Sequence, residues 1–158
     1  MNISLLMGAF LILGLSACHE SPHASDSQLV EAFGKHRQDL ERLVEMFHAD
    51  THNTSSFLSI SMMEPSASTS RIEEYRTLFK KIGIEGGMNG YGQEDCIRFP
   101  TSTSGIAISG SAKGYEWRRQ PPDIVVEDTD SYRPPKQNGF IVYKTLADHW
   151  YVFRDVSR

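Results

Sequence analysis

The sequence predicts an α+β fold, with one or two N-terminal helices packed on an antiparallel sheet of about five strands. Two observations carry that prediction. Apolar residues recur at helical spacing between residues 25 and 83, and short alternating runs separated by turn signals fill the stretch from 96 to 154. Helices first and strands later is the order of a layered α+β domain rather than of alternating βαβ units.

The first helix should open at Ser25, because S-D-S-Q places Gln28 where a capping box needs it. Leu29, Phe33, Leu40, Leu43, Val44 and Phe47 then share one side, and Glu31, Lys35, Gln38, Glu41, Arg42 and Glu45 share the other. FLSISMM alternates as a strand does and stops at Pro65. Ser70 with Glu73 suggests the cap of a second helix through Ile72, Tyr75, Leu78, Phe79 and Ile82. Gly83 supplies its left-handed end, and Ile84 the apolar contact that accompanies it. GGMNGYG, residues 86 to 92, reads as a flexible or ligand-binding loop without the Lys-Ser/Thr of a phosphate loop. CIRF, GIAISGS, YEWR, DIVV, FIVYKTL and WYVFR are the expected strands, with hairpin turns at Ser111–Gly114 and Ala147–His149. In element order the chain resembles cystatin-like cone folds, a likeness of arrangement from which no function follows.

The start of the chain is of a different kind. Residues 1–17 carry no charged side chain, and Leu5 to Leu15 form an apolar run of 11 residues, too short to span a bilayer. LSAC follows at positions 15 to 18, and then the polar stretch HESPHASDS. The residues alone fit a lipid-attachment signal, a plain secretory leader, an uncleaved apolar helix or a Cys18–Cys96 disulfide.

LSAC resembles the bacterial lipobox, an aliphatic residue and two small ones before an invariant cysteine, although MNIS lacks the usual Lys or Arg. The resemblance implies that signal peptidase II removes residues 1–17 and that Cys18 becomes diacylglyceryl-modified and N-acylated. His19 in place of Asp implies the outer membrane, facing the periplasm. Several acyl chains, at about 0.8 kcal/mol per buried methylene, hold such a protein stably to a bilayer. Residues 18–26 then form the lipidated cysteine and a flexible tether, and 27–158 a single domain. Cys96 remains as a lone thiol.

Cleavage leaves 141 residues, enough for one core that needs neither metal nor disulfide. The formal charge of −4, with Lys and Arg scattered, argues against a nucleic-acid partner. HESPH matches the zinc-protease pattern in letters only, since Pro22 and the adjoining anchor deny it a helix. His48 and His52 have metal-ligand spacing, yet they fall where the first helix ends. EDTD, residues 127 to 130, reads as a solvated acidic turn, and Cys96 beside Asp95 as a buried, inert thiol. No metal or cofactor is expected.

Two features lean towards function. His36 falls inside the apolar stripe, as a core histidine or as a titratable group lining a pocket. KGYEWRR either sends Tyr115 and Trp117 into the core or forms a protein-contact patch of Lys113, Tyr115, Trp117, Arg118 and Arg119. The expectation is a lipid-anchored, periplasm-facing binding protein with a protein partner, of the immunity, inhibitor or envelope-accessory type. The alternatives are a small-ligand binder using the concave face of the sheet, or a small enzyme with a pocket at His36.

Overall fold

The computed structural model describes residues 23–50, 57–58, 68–85, 87–91, 96–106, 109–136 and 139–157. Cys18, His52, most of FLSISMM and residues 64–67 lie outside them. The described residues form helices α1 (Asp26–Asp50) and α2 (Thr69–Ile82) and strands β1 (Phe57–Leu58), β2 (Met88–Tyr91), β3 (Cys96–Ile106), β4 (Ser109–Arg118), β5 (Phe140–Ala147) and β6 (Trp150–Ser157). All strand pairs are antiparallel, in the order β1-β2-β3-β4-β6-β5. Five strands carry the sheet and β1 adds two residues at its edge, so the chain is an α+β protein as the sequence predicts.

The first helix starts as its capping box requires. Ser25 Oγ accepts from the Gln28 amide at 3.3 Å, and the Ser25 amide donates to Gln28 Oε1 at 2.8 Å. All six residues of the expected stripe are buried, with Met46 added to them. α1 runs past His48 to Asp50, because Arg71 and Tyr75 of α2 donate to the Asp50 carboxylate. The cap of α2 is Ser68 rather than Ser70: its extended backbone lets its hydroxyl accept from the Arg71 amide. Gly83 closes α2 at φ 81°, and the Gly83 and Ile84 amides both donate to the Phe79 carbonyl.

Both helices pack on one face of the sheet, where Ile97, Phe99, Tyr115, Trp150 and Val152 meet the buried stripes of α1 and α2. Tyr143, Tyr151 and Phe153 form a second cluster. Register places it on the opposite face, because directly paired residues project to the same side: Tyr143 pairs with Phe153, and Tyr151 with Glu116.

Four expectations give way to tertiary pairing. Met88–Tyr91, within the expected loop, is a strand; a Cβ on Gly90 would collide with the Phe47 ring, so this strand passes close over α1 only as glycine. The GIAISGS run is divided between β3 and β4, so the hairpin expected at Ser111–Gly114 falls inside β4. There Gly114 lies against the β3 backbone, where the register shifts between Pro100 and Ser102. DIVV makes only one parallel bridge, Val125 to Tyr143, since the segment runs alongside β5 in the same direction and has no hairpin partner. Finally, the expected tether ends sooner than residue 26: His23 and Asp26 are both buried against the domain. The hairpin at Ala147–His149 is present, with His149 at φ 65°.

Candidate functional site

Alternation along β4 sends Glu116 and Arg118 to the face away from the helices, and register brings Arg98 of β3 opposite Glu116. The Arg98 guanidinium is used on three sides. Nε donates to Glu116 Oε2, Nη1 to Asp155 Oδ2 at 3.1 Å, and Nη2 to the Tyr143 hydroxyl at 3.0 Å. Its Cζ lies over the Phe153 ring, 5.0 Å from the centroid. Arg118 stacks 5.3 Å above Tyr143, with Nη1 3.2 Å from Glu116 Oε1. Two guanidiniums lying on aromatic rings thus bracket a carboxylate that is 0% exposed.

The electrostatics follow from this enclosure. Burial opposes the charge on Arg98, but the Glu116 carboxylate and Tyr143 more than offset it and hold its pKa above the ordinary guanidinium value. Cys96, paired with Arg118 across the ladder, has its thiol pushed up to about 12 by burial and then by Glu116. It is the buried cysteine expected, with Glu116 as a carboxylate acting on it; Asp95 lies outside the described residues. The cluster is incompletely bonded: Arg118 Nε is buried without a hydrogen-bond partner, and Glu116 Oε1 is held by the ion pair with Arg118 Nη1 rather than by a well-aligned hydrogen bond. Buried polar atoms left this way are uncommon in folded proteins.

The five residues expected to form one contact patch do not share a surface. Lys113 is 0% exposed, with Nζ 2.8 Å from Asp26 Oδ1 and against Asp130 Oδ1. Tyr115 is buried on the helix side and donates to the Leu29 carbonyl at 3.1 Å. Trp117 is half-buried between His48, at 5.2 Å, and His149, at 6.0 Å. Arg118 is 27% exposed and Arg119, just past the strand, is exposed. Only the last three belong to one end of the molecule, and His149 joins them there by donating from Nδ1 to the Arg118 carbonyl at 2.9 Å.

His36 stays at the edge of the core rather than inside it. Its side chain is 25% exposed on α1, with Nδ1 3.3 Å from Asp39 Oδ2. Asp39 also accepts from Lys81 at 2.8 Å. His48 is not at a solvated helix end, because it packs on Trp117 and its Nε2 is buried without a hydrogen bond.

The acidic turn is likewise less solvated than EDTD suggests. Thr129 donates through its amide and hydroxyl to Asp26, at 2.7 and 2.6 Å, and the Asp26 amide donates to Asp130 Oδ2 at 2.7 Å. Carboxylate oxygens of Asp26, Asp128 and Asp130 come within 4.8 Å of one another. The Lys113 ammonium already supplies positive charge to two of the three, so the cluster is an internal ion clasp rather than a vacant cation cage.

Sequence reading missed Arg98, Tyr143 and Asp155, although an arginine inside the apolar run CIRF was a usable signal. For Asp26 with Thr129 there was none, because the two lie 103 residues apart. Comparison with protein-family models, curated proteins and solved structures finds no match to the chain.

Proposed function

We propose that this protein is a bacterial lipoprotein held by acyl chains on Cys18, facing the periplasm from the outer membrane, and that it binds a protein partner there. The observation that carries the binding reading is the Arg98–Glu116–Arg118 array stacked on Phe153 and Tyr143. A guanidinium held over a ring and ion-paired loses little freedom when a second protein docks, and Arg and Tyr are enriched where binding energy concentrates. Arg118 extends this array to Arg119 and His149 at the free end of β4. That end carries Arg118 and Arg119 at the surface beside Asp148, so the partner that fits it best presents carboxylates to the two arginines. An immunity, inhibitor or envelope-accessory role is consistent with such a surface.

The test has two parts. Mass analysis of the protein purified from membranes should show residue 18 as the acylated N-terminus. A photo-crosslinking residue at Arg119 should then yield a defined protein adduct in intact cells, absent from the same probe at Thr103. Arg118→Glu should reduce that adduct at least tenfold without altering expression. An adduct indifferent to Arg118→Glu would remove the array from the binding surface.

A further inference from the structure

His23 reaches back into the domain from the edge of the anchor segment. Nδ1 lies 2.7 Å from Ser102 Oγ on β3, and Nε2 lies 2.7 Å from Ser111 Oγ on β4. These partners are 79 and 88 residues away, and His23 is 8% exposed. An imidazole suits the place: the neutral ring donates from one nitrogen and accepts at the other, and a rotating serine hydroxyl can answer either role.

The consequence is one of reach. Cys18 precedes His23 by five residues, which span at most roughly 17 Å when fully extended. From Ser111 to Trp117, β4 covers about 20 Å at roughly 3.3 Å per residue. We propose that His23 is an orienting pin, which holds the end of the domain bearing Ser102, Ser111 and the start of α1 against the bilayer and turns the end bearing Trp117, Arg118 and His149 away from it. This rests on the lipid-anchor reading of Cys18, and it gives the partner surface a direction.

The pin should loosen in acid. Protonating His23 places a cation in a buried position facing Lys113 of β4 and Arg154 of β6. Asp130 of the acidic turn opposes them only in part, and Asp26 of α1 is already engaged by Lys113 and Thr129. Burial first, and then these two cations, hold the His23 pKa below its usual 6.5.

The test uses the full-length acylated protein in phosphatidylcholine vesicles carrying a short-range headgroup energy acceptor. A donor dye is attached to Thr103→Cys at the pinned end or Asp148→Cys at the far end; the Cys96 thiol is buried and Cys18 is acylated, so neither competes. At pH 7.5, transfer from position 103 should exceed that from 148 at least twofold. His23→Ala, and independently the Ser102→Ala/Ser111→Ala double variant, should bring the two positions close to equality. Lowering the pH to 5 should do the same to the wild type and leave His23→Gln unchanged. Protein that fails to float with the vesicles overturns the anchor and the pin together. Protein that floats but shows equal transfer from both positions in the wild type overturns the pin alone.

Discussion

Strand β4 carries two buried charges three residues apart, Lys113 and Glu116, both 0% exposed and on opposite faces of the sheet. Their surroundings differ in one respect. Around Lys113, the Asp26 and Asp130 carboxylates take the ammonium as well as the Thr129 amide and hydroxyl and the Asp26 amide. Around Glu116, one carboxylate oxygen and the Arg118 Nε have no hydrogen bond. A well-bonded buried ion pair ties chain segments together and leaves little for a ligand to add. An incompletely bonded one ties its neighbours together less firmly. The first joins α1, β4 and the acidic turn; the second stays within neighbouring strands. We read the first as architecture, and we propose that the second reaches a partner only through its exposed edge at Arg118.

The comparison breaks most easily at Lys113. Lys113→Met should destabilise the protein by roughly 3–5 kcal/mol in denaturant titrations, because two carboxylates lose the cation between them. Glu116→Gln should cost less, about 1–3 kcal/mol, since Arg98 keeps Asp155 and Tyr143 and Arg118 retains some solvent. The same variant should diminish the Arg119 crosslink, whereas Lys113→Met should leave it intact in the fraction that remains folded. Equal stability costs for the two variants would erase the distinction between the clusters.

The smallest effect separates the pin from both clusters. A histidine whose folded pKa lies below its unfolded 6.5 contributes stability that is complete above pH 6.5. That contribution is lost as pH falls from 6.5 through the lowered folded value. Thermal unfolding of the wild type should therefore lose ground to His23→Gln between pH 7 and 5. Parallel pH profiles for the two proteins would show that His23 carries no differential protonation.

Much of the fold was legible because its signals are local. The α1 stripe, the Ser25 box and the Gly83 cap each depend on residues within a turn or two of one another. Alternation put Glu116 and Arg118 on one face and Tyr115 and Trp117 on the other, as found. The same alternation could not say that Lys113 would be sealed in, since its two carboxylates arrive from Asp26 and Asp130. Nor could it say that DIVV would pair in parallel with β5, because parallel pairing leaves no hairpin in the sequence. Ser111–Gly114 carried a turn signature, yet Gly114 is needed for the close approach of the β3 bulge.

What the sequence by itself determined is therefore the class of fold, the two helices with the start of the first and the end of the second, and which residues of a strand share a side. Backbone geometry and hydrophobic spacing act over short separations and can be read along the chain. Tertiary structure alone decided which charges meet, which serines receive His23, and which arginines come to lie on aromatic rings. Those choices depend on strand register and on contacts across tens of residues, where many pairings share the same local pattern and only the folded arrangement selects one.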